Sequence, residues 1–369
     1  MKPINLSELT PFSATHPGEM LADELEARGI IQQEFAQQIG MQKSQLNEII
    51  KGKRSLNAET AILLEAALGI SVDFWMNAQN NYDLALAKLQ SKVQEQATAI
   101  AAWNMMKVYV PIQYFKSQNL LTNNPIEDIN TINKIYNVTN LNLLAAAVST
   151  PQFHRFRKSD KLQEDKINLI GWVKYLEYQA KSVEVNQFRP ELKSEVIPKL
   201  RDAIHTNKNL KEQVKLILNN AGIKIIYQEK ADKAAIDGYS FWSDENPAIG
   251  ITFRHKRIDN FAFTLFHELG HIFLHLVNDR NASFIDLVAE EKEYKNSKEE
   301  KEADEFAKNN LIPLNEWLIY NAEGDVLKDY RIFQFSKKIN IHPAIIRGRV
   351  CFERNSYRLP KSLIDYSIN

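Results

Sequence analysis

The chain has 369 residues, 44% hydrophobic and 25% charged, which is length for two or three domains and composition for real cores. Its 46 basic residues balance 46 acidic ones, so overall charge excludes nucleic acid, a membrane surface or a polyanion as a partner except through a local patch. The single cysteine, Cys351, excludes internal disulfides and cysteine-rich zinc modules and points to the cytoplasm, while no stretch nears the ~18 uninterrupted apolar residues of a membrane span and MKPINLSELTPF lacks a signal core.

The predicted fold class is mostly α with a small β-sheet (α+β), in three regions: 1–85, 86–195 and 196–369. Residues 17–77 break into short helical periods at 17–27, 32–39, 43–50 and 58–68, with Pro17 suited to a first turn and Gly29, Gly40 and Gly69 to helix ends. The second and third have the layout of a helix-turn-helix, with Phe35, Ala36, Ile39, Leu46 and Ile49 facing inward and Gly40 in the turn. Gln42, Lys43, Ser44, Gln45, Asn47 and Lys51, followed by Lys53 and Arg54, would then face a major groove. Amides and the serine suit base edges, and the cations suit phosphates. Against this, residues 17–77 carry five basic and nine acidic side chains, so periodicity alone leaves a DNA-binding element and a protein-interaction bundle equally open.

The 86–195 region reads as a helical connector. AKLQSKVQEQATAIAAWNMMK and KINLIGWVKYLEYQAKSV are helical patterns separated by polar stretches such as NNPIEDIN, and Trp103, Phe156 and Trp172 are core residues under them. Further on, helices are predicted near 196–205 and 210–221. IKIIYQ, AIDGYSFWS and AIGITF follow as strands of a small sheet, and then helices near 259–276, 298–310, 313–320 and 330–339. Asp259 is the start signal of the 259–276 helix.

Within that helix residues 267–271 read His-Glu-Leu-Gly-His. Positions four apart share a helix face, so His267 and His271 can close on one metal ion with Glu268 beside it, while Ala262, Leu265, Phe266, Leu269, Ile272, Phe273 and Leu276 bury the other side. A catalytic zinc takes three protein ligands and leaves a position for water. KEEKEADEFAKNNLIP offers acidic candidates; Glu300 is read as the third ligand, and Asp304, four residues on, as the carboxylate that fixes a histidine's other ring nitrogen. Taken alone this acidic run reads more readily as a solvated helix face. His275 lies two turns from His267, ~12 Å along the axis, and so reads as a structural or outer histidine, not a ligand. Tyr239, His255 and Tyr294 are unranked candidates for a second oxyanion donor, and the 248–253 strand for backbone pairing with an extended substrate.

Two resemblances add to this. THPGEMLADELEARG, the helix-turn-helix and KGKRSLNAETAILLEAALGISVDFWMNAQNNYDLALAK, covering about 14–88, resemble HigA-type antitoxins of the Xre helix-turn-helix class. The resemblance implies binding of operator DNA through 42–51, Lys53 and Arg54, usually as a homodimer, and pairing with a small RNase toxin. FTLFHELGHIFLH, then E..ADEFAKNNLIP and IHPAIIRGRV, covering about 223–350, resemble the ImmA/IrrE metallopeptidases. That resemblance implies one catalytic Zn2+ on His267, His271 and Glu300, with Glu268 as base and a partner repressor as substrate. Phe266, Asn309 and Asn310 depart from the family pattern and would narrow or reshape the cleft. The expected function is a cytoplasmic DNA-binding transcriptional regulator whose zinc metallopeptidase domain cleaves a specific regulatory protein. The alternative is a HigA-like antitoxin or repressor whose zincin-like domain binds a toxin or ligand without cutting it.

Overall fold

The computed structural model describes residues 15–149, 161–232, 234, 236–287, 297–322, 324–354 and 362–369. The chain divides into two compact units, 1–101 and 102–369.

In the first unit five helices follow one another: α1 (Pro17–Ala27), α2 (Gln32–Gln38), α3 (Lys43–Ile50), α4 (Ala58–Leu68) and α5 (Val72–Leu89), with α6 (Ser91–Met106) beginning after them. The caps are local chemistry. The His16 ring accepts from the Gly18 amide, Asn57 accepts from Thr60, and Gly69 ends α4 in the left-handed region. The predicted inner faces of α2 and α3 meet as expected: Phe35, Ala36, Ile39, Leu46 and Ile49 are buried, joined by Leu21, Leu25, Leu64 and Trp75. Gly40 takes φ 70° in the turn between the two helices, a conformation costly for residues with a Cβ.

The second unit is built on a four-stranded sheet ordered β1 (Lys224–Tyr227), β3 (Asn246–Ile251), β2 (Ile236–Ser243), β4 (Ser283–Leu287). β1 pairs parallel to β3, and the other two pairings are antiparallel. Period-two alternation splits β3 between two cores: Ala248 faces one, Ile249 and Ile251 the other. The first core is covered by α7 (Ile112–Ser117), α8 (Pro125–Tyr136), α9 (Leu141–Ala147) and α10 (Lys161–Ala180), through Phe115, Ile132, Leu144, Trp172 and Leu176. The second is covered by α11 (Lys193–Thr206), α12 (Leu210–Asn220), α13 (Ile258–Gly270), α14 (Lys298–Leu311), α15 (Leu314–Ala322), α16 (Asp329–Ile339) and α17 (Pro343–Glu353).

Several elements differ from the sequence reading. The region read as a connector supplies one whole face of the sheet's packing, with Trp103 and Trp172 in that core as expected, while Phe156 lies outside the described residues. NNPIEDIN is not a polar break. Asn124 caps α8 by accepting from Ile126, Pro125 takes its first turn, and the acids sit where the helix dipole favours them. Asp259 does stand in the first turn of α13, as a start signal should, and its carboxylate is held by the Arg257 guanidinium at 3.0 and 2.7 Å. The strand expected to pair with substrate, β3, is internal, with β1 on one side and β2 on the other, so its backbone groups are already used. The fourth strand, β4, comes after the histidine helix and forms an edge.

Candidate metal centre and cleft

α13 forms because its apolar residues repeat at helical spacing and bury Phe261, Ala262, Leu265, Phe266 and Leu269 in the core. That packing turns Phe263, Thr264 and His267 toward a cavity of about 780 Å³. From His271 to Leu276 the helix widens into a π-helical turn, a feature that often marks functional positions. α14 lies against α13. A Cβ added to Gly270 would come within 2.9 Å of the Ala303 Cα, so the missing side chain permits this approach.

The approach brings three predicted residues together. His267 Nε2 is 3.1 Å from His271 Nε2 and 3.2 Å from Glu300 Oε2, and His271 Nε2 is 3.4 Å from Glu300 Oε1. All three side chains are buried, and they could hold a divalent cation. Asp304 Oδ1 lies 3.0 Å from His267 Nδ1, on the far side of the ring from Glu300. Ser297 caps α14 by accepting from the Glu300 amide, which fixes the first turn that carries this carboxylate.

The electrostatics are those of a buried imidazolium–carboxylate pair between His267 and Glu300. Burial disfavours a charged His267, but the hydrogen bonds to Asp304 and Glu300 outweigh it and hold its pKa well above the ordinary imidazole value. Burial likewise opposes an ionised Glu300, yet the hydrogen bond from His267 and the closeness of both imidazoles keep its carboxyl well below the usual range. His271 is lowered to about 4 by burial and stays neutral. Glu268 is completely buried, and burial holds its carboxyl well above the usual range despite the nearby His267. Its carboxylate rests over β2, where a Cβ on Gly238 would be 2.2 Å from Glu268 Oε1.

Two features of the centre escaped the sequence reading. Asp286 on β4 has a carboxylate oxygen within 4.8 Å of ligand atoms of both His267 and Glu268, and burial pushes it up to about 6. Its strand is five residues long and carried no periodic signal. Glu302 contacts His275, a pairing that spacing along the chain cannot reveal. Of the oxyanion candidates, His255 lines the cleft. Tyr239 does not serve there, since its hydroxyl bonds Glu177 at 3.0 Å in the core under α10, and Tyr294 lies outside the described residues. Phe266 packs into the core, and Asn310 bonds the Phe306 carbonyl at 2.8 Å; with Asn309 they stand apart from the described cleft lining, so the expected narrowing is not seen.

In the first unit Gln42, Lys43, Ser44, Lys51, Lys53 and Arg54 are exposed on or next to α3, and Gln45 and Asn47 are half-buried. Lys43 donates to Gln33 at 3.1 Å, and Arg54 lies 3.9 Å from Glu48, contacts of exposed groups that water or a phosphate can replace.

Comparison with known proteins agrees with both units. Residues 21–75 match the helix-turn-helix family model, and residues 218–337 match the model of peptidase family M78, described as the IrrE N-terminal-like domain. Virulence-associated protein I of Dichelobacter nodosus is 36% identical over 76 residues, which is 20% of this chain and 70% of that protein. Antitoxin HigA-1 of Vibrio cholerae is 41% identical over 68 residues, 18% of this chain and 64% of that protein. Among solved structures, the Pseudomonas aeruginosa antitoxin HigA with the higBA promoter is 33% identical, with 23% of this chain and 92% of that chain covered and a TM-score of 0.22. The addiction module antidote protein of a HigA family from Coxiella burnetii is 31% identical, with 23% and 95% covered and a TM-score of 0.22. A helix-turn-helix unit followed by a peptidase-family domain is therefore the class of the protein. The chain belongs to the Xre-type helix-turn-helix family with HigA antitoxin relatives, and carries an IrrE/ImmA-like M78 domain at its C-terminal side.

Proposed function

We propose that the chain is a DNA-binding transcriptional regulator whose C-terminal unit is a zinc metalloendopeptidase cleaving a specific regulatory protein. The observation that carries this is the convergence of His267, His271 and Glu300, of which His267 and Glu300 line the cleft. Atoms about 2.0–2.2 Å from a tetrahedral zinc stand about 3.3 Å from one another. The separations here are 3.1, 3.2 and 3.4 Å, among two imidazole nitrogens and the two oxygens of one carboxylate, a donor set that suits zinc. When bound, the zinc ion acidifies a water and polarises the peptide carbonyl.

The chain's own residues supply the rest. Glu268, next to His267 on α13, takes the proton of the attacking water as a carboxylate and delivers it to the departing amine nitrogen. Asp304 accepts from His267 Nδ1–H and so points its Nε2 lone pair inward. β4 is the last strand of the sheet, pairs with β2 and reaches the cleft through Asp286, so it is placed to align an extended substrate strand, the role expected of β3. His255, on the cleft wall, is the candidate donor to the oxyanion.

In the first unit Gln42, Ser44, Gln45 and Asn47 address base edges of operator DNA, and Lys43, Lys51, Lys53 and Arg54 its phosphates, with the chain acting as a homodimer. Binding to a promoter, named for the Pseudomonas aeruginosa HigA structure, supports this. Among the described residues no helix is long and apolar enough to cross a membrane. With a lone, buried Cys351 and a DNA partner, the proposed location is the cytoplasm.

The HigA relatives favour a second reading, in which the C-terminal unit holds a cognate toxin without cutting it. Incubating the zinc-loaded protein with the product of the adjacent gene separates the two. A discrete fragment, absent with Glu268→Gln, supports the peptidase; an intact complex that both proteins form equally supports the antitoxin.

A further inference from the structure

We propose that His275 and Glu302 form a relay that sets the tautomer of His271, and that this relay, with no contact to the cation position, is required for its affinity. This rests on the reading of His271 as a ligand. His271 Nδ1 lies 3.1 Å from His275 Nδ1, and His275 Nε2 lies 3.0 Å from Glu302 Oε2.

The chemistry of these three groups gives the chain of hydrogen bonds one direction. A carboxylate only accepts, so His275 Nε2–H is the donor to Glu302. With its proton on Nε2, His275 offers the Nδ1 lone pair as acceptor, and His271 Nδ1–H donates across the 3.1 Å contact. His271 Nε2, which faces His267 and Glu300, is left with its lone pair free for a cation. Reversing the first bond would put the proton of His271 on Nε2 and abolish it as a ligand.

The fold holds this geometry from two sides. The rings of His271 and His275 come from one π-helical turn, with centroids 5.2 Å apart. Phe284 of β4 lies flat on His271, 4.2 Å between centroids and 10° between planes, and also touches His275 at 5.2 Å. α14 thus serves both histidines: Asp304 reaches His267 directly, whereas Glu302 reaches His271 through His275. Two ligands of one type receive their orientation from two different devices.

Zinc affinity, read by competition with a chromophoric chelator on the full chain, tests the relay. His275→Leu keeps bulk but removes the acceptor, and is expected to weaken zinc about 10- to 100-fold, the range for loss of an outer partner. His275→Asn places its Oδ1 where His275 Nδ1 stands, and is expected to restore affinity to within about threefold. Glu302→Ala, whose side chain is 41% exposed, is expected to weaken zinc by about threefold. Long-range ¹⁵N–¹H spectra of histidine-labelled, metal-free protein should show His271 with its proton on Nδ1 in the wild type and in His275→Asn, and not in His275→Leu. Circular dichroism melts identify variants that fold. Zinc affinity of folded His275→Leu equal to wild type, or His275→Asn no better than His275→Leu, overturns the relay. A wild-type protein with no affinity for zinc overturns the metal centre itself, which keeps the two failures distinct.

Discussion

At the scale of single residues, the centre depends on what two side chains lack as much as on what others carry. Glu268 fits over β2 because Gly238 has no Cβ, which would stand 2.2 Å from the carboxylate. Gly238→Ala is therefore expected to cost about 1–3 kcal/mol in a thermal or urea melt and to displace the base, lowering turnover while zinc content is unchanged. Glu268→Gln keeps the shape and removes the base. It should retain zinc and operator binding and lower cleavage of the protein substrate by about 10³-fold in a gel-based assay, the middle of the range for general-base catalysis. The pH dependence of metal uptake follows from His267, whose pKa is held above its ordinary value by Asp304 and Glu300 against burial. A cation must displace that proton, so affinity should fall as pH falls, by about tenfold per pH unit while His267 is protonated, with about one proton released per ion in calorimetry in two buffers.

At the scale of elements, the contact between α13 and α14 decides whether three ligands become one site. Gly270 is the point of closest approach, where a Cβ would meet the Ala303 Cα at 2.9 Å and the Phe306 Cβ at 3.2 Å. Gly270→Val should wedge the helices apart, cost about 1–3 kcal/mol in a melt and weaken zinc at least tenfold, even though position 270 touches no ligand atom. This contact also explains what was legible in the sequence. His267 and His271 share a helix face by spacing alone, and Glu300 and Asp304 share another, so each pair could be read within its own helix. What spacing cannot supply is the join between helices: Glu302 with His275, or Asp286 with Glu268, pairs that are distant along the chain and come from tertiary packing. The same limit hid α8, whose polar start at Asn124 is a cap and whose buried Ile132, Ile135 and Tyr136 face α10 only in the fold. β4 was missed because five residues without alternation look like loop.

At the scale of the whole molecule, the helix-turn-helix unit and the M78 unit have separate cores and separate candidate surfaces. Lys51→Ala with Arg54→Ala should weaken operator binding and reduce the salt slope of the affinity by about 2 in band-shift titrations, while zinc content and cleavage stay as in wild type. The most direct measurement of the central claim is metal content by plasma emission of the purified full chain after loading with zinc and removal of excess. One zinc per chain in wild type, falling to below about a tenth in His267→Ala, His271→Ala and Glu300→Ala proteins that still fold, is the predicted result. A folded wild-type chain that retains no zinc, or one whose zinc survives the loss of Glu300, would contradict it.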